Sequence, residues 1–346
     1  MDLNLGASSS PGSSTVTVST GGVRPLRPRG SVMGFLDRRP DLLGWLLAGP
    51  VFIVTVGIVI YPILYGFLIS LYDVHMLRGG LPQFLAMLEG IVGAKAAGLP
   101  AFLGAGNYTR VFSDAQLQRA IVASVILTGI SVPLDLAFAM AVALVLNQRF
   151  PGRAFVRGVI VLSWATPGVI NAILWKLMLR SDGIVNGVLT GLGILQEPQM
   201  WLMSTFWAFF WIIIANLWKG SPFAALILLA GMQVVPEELY EAAKIDGAGP
   251  WASFRNVTLP HLRYPITLLV ILGVIGGLTS FELLYILTGG GPANSTLVMA
   301  YYVFNHAIQW DNLGYSSALS FWLSAVVTLF AAVYWWVSSR GDESGL

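Results

Sequence analysis

The sequence predicts an all-α membrane protein with six transmembrane helices. Of its 346 residues, 56% are hydrophobic and only 10% are charged, whereas soluble domains carry about 25% charged residues. Apolar runs long enough to cross a ~30 Å hydrocarbon core, which takes about 20 residues of helix, occur six times. They lie near 42–72, 117–146, 154–179, 203–231, 264–288 and 317–338.

The two ends of the chain differ from this apolar body, and we take residues 42–340 as the transmembrane domain. Residues 1–41 are rich in Ser, Thr, Gly and Pro and lack the apolar core of a signal peptide, so we expect a disordered N-terminal tail. Residues 341–346 form a short C-terminal tail. The absence of cysteine excludes disulfides, thiolate metal sites and cysteine nucleophiles. The net charge of +2 gives no reason to expect nucleic acid.

Basic residues predict the orientation, because Lys and Arg near the ends of spans favour the cytoplasmic side. With both termini in the cytoplasm, the outer connections hold only Arg78, Lys95, Arg110, Arg119 and Arg180. The larger cytoplasmic set is then Arg24, Arg27, Arg29, Arg38, Arg39, Arg149, Arg153, Arg157, Lys244, Arg255, Arg263 and Arg340. The connection between the fourth and fifth spans therefore faces the cytoplasm.

That connection, 236–260, predicts two short amphipathic helices. Pro236 suits a first helical turn, and Gly247 stands where a left-handed C-cap falls after a helix over 236–246. Pro250 starts a second helix, which we expect to end at Leu259-Pro260. By geometry alone, the loop lies at the lipid headgroups, with Trp251 and Phe254 dipping into the interface.

The order of residues in this loop adds a second interpretation. The segment "EAAKIDGAGPWASFRNVTLP" resembles the EAA loop of binding-protein-dependent ABC importer permeases. In that family, the loop is a coupling helix that docks into a cleft of a separate ATPase subunit. Val257 departs mildly from the motif, because isoleucine is commoner there. The resemblance assigns ATPase coupling to Glu241, Ala242, Ala243, Asp246, Gly247, Leu259 and Pro260.

The resemblance extends over nearly all of 42–340. Segments "LGAGNYTRVFSD", "NLWKGSPF" and "YILTGGGPANST" resemble sugar-type permeases, and the last one resembles the "F" subunit of the maltose/glycerol-phosphate type. A region from about His75 to Ala101 looks like an insertion in the first external connection.

The resemblance implies the type I ABC importer permease fold and a place in the plasma or inner membrane. It also implies a set of partners: a second, "G"-type permease, two copies of an ATPase subunit, an external solute-binding protein and a carbohydrate substrate. ATP and Mg would be bound by the ATPase subunits, and this chain would hold no cofactor.

Polar groups inside spans are the candidates for a solute site, because they are costly there and usually face a cavity or a partner. They are Asp135, Lys176, Lys219, Glu282, Asn171 and Asn216. A structural role is the alternative for each. Lys176 and Glu282 lie near predicted external span ends, which their side chains can reach, and Asp135 can pair with a partner subunit.

Helix interruptions favour the middle three spans as the place of the site. Aromatic faces and amides suit the C–H surfaces and hydroxyls of sugars. By resemblance, the sugar-cavity positions are Trp164, Gly168, Asn216, Lys219, Gly220, Phe223, Gly273, Gly276 and Gly277. The glycines of the fifth span either widen the cavity or, through the Gly273-x-x-x-Gly277 pair, pack helices closely.

Two other classes of function, a secondary transporter and a membrane enzyme, explain less of the sequence. A secondary transporter needs a relay of buried acids, for which Asp135 and Glu282 are the candidates, and it leaves the EAA-like loop unexplained. An enzyme needs a catalytic cluster, but His75, His261 and His306 are scattered and neither a His-Glu-x-x-His nor a Gly-x-Ser-x-Gly motif occurs. The chain contains no Gly-Lys pair, so it has no P-loop and energy must come from a partner or an ion gradient.

Overall fold

The structure, a computed structural model, describes residues 40–75 and 100–340. Within these ranges the chain is helical, and its one β-type contact is an isolated bridge between Tyr72 and Phe102. The predictions for the N-terminal tail, for most of the external insertion and for the C-terminal tail concern residues outside the described ranges.

The α-helices, numbered in chain order, include several short ones that lie between the long apolar ones. They are α1 (Pro40–Val54), α2 (Tyr61–Ser70), α3 (Gly106–Arg110), α4 (Ala115–Asn147), α5 (Arg153–Ala165), α6 (Gly168–Met178), α7 (Ile184–Gly191), α8 (Thr205–Val234), α9 (Glu237–Ile245), α10 (Pro250–Ser253), α11 (Leu259–His261), α12 (Arg263–Thr279), α13 (Glu282–Leu287), α14 (Met299–Phe304) and α15 (Leu313–Arg340). Contacts divide the chain into a unit that ends at Pro62 and a larger unit that begins at Ile63.

Four helices in the described ranges are long and apolar enough to span a membrane: Ala48–Ser70, Ala115–Asn147, Thr205–Val234 and Leu313–Ser339. Two bent pairs bring the number to six if each is one span: α5 with α6, bent by 96°, and Pro250–His261 with α12, bent by 69°. The structure therefore has the predicted six spans only if each bent pair is counted as one span. Since α12 has 17 residues, it is at the lower limit of about 17 residues for a span.

Two of the predicted spans are interrupted in the structure. The interruption expected at Gly220-Ser221-Pro222 in the fourth span is absent, because α8 runs unbroken through these residues, and α12 likewise continues through Gly273, Gly276 and Gly277. The run 154–179 breaks at Thr166 and Pro167, which both have extended ψ angles, 127° and 140°. A proline disfavours helical geometry in the residue before it, which explains the extended Thr166. The run 264–288 is also not continuous, because α12 ends at Thr279 and Ser280 is extended before α13 begins.

The larger unit is built around α4, which packs along α8 and α12. Small residues allow this close approach: Ala139 and Ala143 of α4 and Ala225 of α8 are fully buried in one core cluster, together with Leu228 and Leu262. Small residues let helix backbones come near each other, so that dispersion contacts can hold helices together in lipid.

One end of the larger unit gathers three separate parts of the chain. With its amide oxygen turned to the guanidinium groups, Gln233 at the end of α8 accepts hydrogen bonds of 3.3 Å from Arg153 and Arg157 of α5. Arg263, at the start of α12, donates to the carbonyl oxygen of Ser338 near the end of α15. The α4–α5 connection, the 236–260 loop and the end of α15 therefore lie on the same side.

The other end of the bundle is held by Asp114, which precedes α4. Its Oδ1 accepts from the N–H groups of Gln116 and Leu117, both at 3.1 Å, and caps the helix. Its Oδ2 accepts from the hydroxyls of Tyr302 and Tyr315, both at 2.8 Å. Burial raises the pKa of Asp114, but these hydrogen bonds outweigh it and hold the pKa below its usual 3.8.

Candidate functional site

A cavity of about 630 Å³ lies between α4, α8 and α12 and reaches the breaks that precede α6 and α13. The nine residues predicted for a sugar site all line it. They are Trp164, Gly168, Asn216, Lys219, Gly220, Phe223, Gly273, Gly276 and Gly277. The volume is in the range of about 300–1,000 Å³ that is usual for small-molecule sites.

Two aromatic side chains form one wall of the cavity. The rings of Trp164 and Phe223 are stacked, with centroids 5.4 Å apart and planes 14° apart. Both remain partly exposed, at 46% and 38%, so the pair offers an apolar surface to a ligand. Asn216, also exposed on α8, adds an amide that can donate and accept hydrogen bonds.

Lys219 holds the broken end of α5 instead of pointing freely into the cavity. Its Nζ donates to the carbonyl oxygen of Thr166 at 2.7 Å and to that of Trp164 at 3.4 Å. The last carbonyls of a helix have no partners within the helix and carry the negative end of its dipole. The ammonium group therefore caps α5 at the break and fixes the backbone that carries Trp164.

Lys176 does the same at a second helix end. Its Nζ donates to the carbonyl oxygen of Ile286, in the last turn of α13, at 2.7 Å. Neither of the two roles that the sequence left open for Lys176, a solute contact or reach to the membrane surface, predicted this contact. Lys176 is exposed and is not among the residues that line the cavity.

Two acidic side chains face the cavity, and each lies against a glycine. A Cβ on Gly220 would be 3.4 Å from Oδ1 of Asp135, and a Cβ on Gly168 would be 2.8 Å from Oε2 of Glu282. Glu282 therefore lies beside the first turn of α6, where the helix dipole favours negative charge.

The glycines of α12 divide between the two roles that the sequence left open. A Cβ on Gly277 would be 2.7 Å from Oγ1 of Thr128, and one on Gly273 would be 3.2 Å from a methyl group of Val132. A Cβ on Gly276 would meet nothing within 4 Å. Gly273 and Gly277 thus allow close packing of α12 on α4, and Gly276 leaves space in the cavity.

Sequence reasoning missed two hydroxyl groups in the cavity wall. Thr128 and Ser131 line the cavity, and their Oγ atoms are buried without a hydrogen-bond partner among the described residues. With Asp135 they follow a three- and four-residue spacing, which places all three on one face of α4. A polar stripe on an apolar span is the signal that could have identified them.

The 236–260 loop has the predicted pair of helices, with one difference. Helix α9 covers Glu237–Ile245, and Gly247 follows it with a left-handed φ of +77°, as expected for a C-cap. The expected end at Pro260 is wrong: after α10 the chain continues through a π-helical segment, Phe254–Thr258, and then through α11 to His261. Pro260 therefore lies within this continuous helical stretch, one residue before its end at His261.

The loop is fixed internally but leaves apolar side chains uncovered. The hydroxyls of Tyr240 and Thr258 are 3.0 Å apart and link α9 to the second helix. Ile245 is 86% exposed and Trp251 is 72% exposed. Of the predicted coupling residues, Ala243 is half-buried, and the others are exposed: Glu241, Ala242, Asp246, Gly247, Leu259 and Pro260. Such a surface suits either a partner protein or a lipid interface.

Comparisons with known proteins identify the family of this chain. Residues 135–340 match the family described as binding-protein-dependent transport system inner membrane component. The trehalose/maltose transport system permease protein of Thermococcus litoralis is 36% identical over 86% of this chain and 94% of its own. The lactose transport system permease protein of Rhizobium radiobacter is 34% identical over 86% of this chain and 93% of its own.

A solved structure is similar in fold. A chain of a bacterial ABC transporter involved in the import of the acidic polysaccharide alginate has a TM-score of 0.67 and 21% identity, over 89% of this chain and 98% of its own.

Proposed function

Because this chain belongs to the family of binding-protein-dependent transport system inner membrane components, we propose that it forms half of the path of an ATP-driven carbohydrate importer. The cavity between α4, α8 and α12 is the site through which the solute passes. The observation that carries this proposal is the convergence of nine predicted residues from four separate helices, α5, α6, α8 and α12, on a single cavity.

The cavity has the groups that carbohydrate binding needs. The Trp164–Phe223 pair presents an apolar ring surface on which the C–H faces of a sugar can pack. Asn216, which is exposed and lines the cavity, supplies a donor and an acceptor for sugar hydroxyls. An ion-coupled secondary transporter is not favoured, because the family to which the chain belongs depends on binding proteins.

The 236–260 loop is the proposed docking surface for an ATPase subunit. It lies on the same side as the basic α4–α5 connection and the end of α15, and we place that side in the cytoplasm. Small Ala242 and Ala243 permit close approach of a partner, while exposed Ile245 and Trp251 supply apolar area.

The remaining partners follow from this role. A second permease subunit of the "G" type would complete the path, and an external solute-binding protein would deliver the carbohydrate. Two ATPase subunits would bind ATP and Mg and drive alternating access, so that this chain transmits motion and does not itself hydrolyse ATP.

The solute site is tested by Asn216→Ala, with Asn147→Ala as the matched control at the exposed end of α4. Uptake of the cognate sugar should fall about tenfold in the first variant, since one or two hydrogen bonds to the sugar are lost. Co-purification of the partner subunits should be unchanged in both. Equal uptake by the two variants would remove Asn216 from the site.

The docking loop is tested by Gly247→Val and Gly247→Asn. Valine at a φ of +77° is strained, whereas asparagine tolerates this conformation. No neighbour lies within 4 Å of an added Cβ, so the effect comes from the backbone turn. We expect the valine variant to lose ATPase subunits on purification and the asparagine variant to retain them. Normal assembly and transport-coupled ATP hydrolysis in Gly247→Val would contradict the docking assignment.

A further inference from the structure

The cavity is lined by more acidic groups than basic ones, and the acidic groups are the more accessible to a ligand. Among the described lining residues, Lys219 is the one cation, and Asp135 and Glu282 are the acids. Lys219 directs two of its donors at the carbonyl oxygens of Thr166 and Trp164. The ammonium group is therefore engaged in capping α5, whereas the carboxyl groups face the space that a ligand would fill.

Of the two acids, Asp135 has a buried carboxyl oxygen, Oδ1, without a hydrogen-bond partner among the described residues. Gly220 lies against this carboxyl group, since a Cβ there would be 3.4 Å from Oδ1 and 3.7 Å from Oδ2. Asp135 nevertheless lines the cavity, and its Oδ2, unlike Oδ1, is not enclosed. With Oδ1 left without a partner, a ligand that donates a hydrogen bond to Oδ2 relieves part of the cost of burying the carboxyl group.

We propose that Asp135 is a specificity-determining residue that makes the cavity select uncharged carbohydrates over acidic ones. This inference rests on the proposed carbohydrate transport. The hydroxyl group of a neutral sugar can donate to the Asp135 carboxyl group. A uronate or other acidic sugar would instead bring a second negative charge close to Asp135 and Glu282, where reduced solvent strengthens the repulsion.

Other polar groups of the cavity agree with a neutral ligand. Asn216, Thr128 and Ser131 are uncharged, and they can donate to or accept from hydroxyls with equal ease. The described lining residues include no arginine, and the one lysine among them, Lys219, directs two of its three donors at backbone carbonyl oxygens. Similarity to known proteins does not decide the charge of the ligand. The similar proteins named above include a transporter of an acidic polysaccharide and permeases of neutral sugars.

The test uses the complete importer, purified through a tag on this chain and placed in lipid nanodiscs. The solute-binding protein is left out, so that its own selectivity does not affect the result. Saturation-transfer NMR compares three neutral disaccharides, maltose, trehalose and lactose, with digalacturonate, a disaccharide with two carboxylates. We expect at least one neutral disaccharide to bind about tenfold more tightly than digalacturonate, given the strength of charge repulsion at short range.

Three variants assign the effect to Asp135. Asp135→Asn keeps an oxygen acceptor but removes the charge, so it should strengthen digalacturonate binding about tenfold and change neutral binding little. Asp135→Glu keeps the charge and should keep the discrimination. Asp182→Asn removes an exposed aspartate that is paired with Arg180 outside the cavity, and it should behave like the wild type.

Each result decides the question. Equal or tighter binding of digalacturonate by the wild type overturns the inference and leaves carbohydrate transport standing. If no disaccharide of either kind binds, the inference fails, whereas carbohydrate transport is decided by the uptake test on Asn216→Ala. An assembled Asp135→Asn complex that still discriminates like the wild type refutes the role of Asp135. The wild-type comparison needs no variant, so the test does not depend on the assembly of Asp135→Asn.

Discussion

Replacing Lys219 by methionine tests how the break between α5 and α6 is stabilised. Methionine keeps the length and apolar stem of lysine but removes the ammonium group. The carbonyl oxygens of Thr166 and Trp164 then lose their donor. The helix end would have to find water within the cavity or shift its backbone, and the Trp164 ring would move with it.

The expected loss of stability can be worked from these two contacts. A hydrogen bond to a charged group contributes about 1.5–3 kcal/mol. The contact at 2.7 Å has good length, whereas the one at 3.4 Å is long, and the charge at the helix end adds about 0.3–1 kcal/mol. We therefore expect a loss of about 2–3 kcal/mol, which corresponds to a fall of ~4–10 °C in Tm.

The assay follows Tm and sugar uptake of the assembled importer, with Lys176→Met as the matched control. Lys176 makes one comparable contact, to Ile286 at 2.7 Å, but it is exposed and outside the cavity. Its replacement should cost about 1 kcal/mol and leave uptake close to that of the wild type. Lys219→Met should lower uptake by about tenfold or more, because it releases the backbone of Trp164.

The reasoning would be refuted by a Lys219→Met importer with wild-type Tm and uptake. An equal loss of uptake in both lysine variants would also contradict it, because the effect would then arise from stability alone and not from the position of Trp164.

Two further predictions concern packing and pH. Gly277→Ala should lower Tm, at a cost of about 1–3 kcal/mol, because the added methyl group would be 2.7 Å from Oγ1 of Thr128. Gly276→Ala, with open space around it, should keep Tm or raise it slightly, and equal Tm values for the two variants would contradict the packing role. Because the pKa of Asp114 is depressed in the folded protein, its stabilising effect is present above the usual pKa of 3.8 and is lost as pH falls through the lower folded value. Asp114→Asn should therefore lower Tm at neutral pH and flatten the decline of Tm in acid, and an unchanged acid profile would argue against this network.

The main features of the fold were predictable from local sequence. Composition and run length indicate a membrane protein, because no soluble core needs so many apolar residues. The left-handed turn at Gly247 and the break before Pro167 follow from backbone sterics of the residues concerned. The loop helix ends at His261, one residue past the predicted Pro260, after a π-helical segment that local sequence did not predict.

The candidate site was predictable only in part. Helix interruptions and the family resemblance indicated nine residues, and all nine line one cavity. The hydroxyl groups of Thr128 and Ser131 were missed because neither residue is unusual in an apolar helix. The contacts of Lys219 were also missed, since they join residues more than fifty positions apart in the chain.

The sequence by itself determined that this protein lies in a membrane, that its third span breaks before Pro167, and that a loop with a left-handed turn at Gly247 joins α8 to α12. These properties depend on composition and on steric limits within a few residues. Only the tertiary structure decided that Gly277 packs on Thr128 while Gly276 faces open space, and that Asp135 lies opposite Gly220. Such relations depend on how far each helix is rotated and how closely it approaches its neighbours, which is set by packing over the whole helix surface and not by any local pattern.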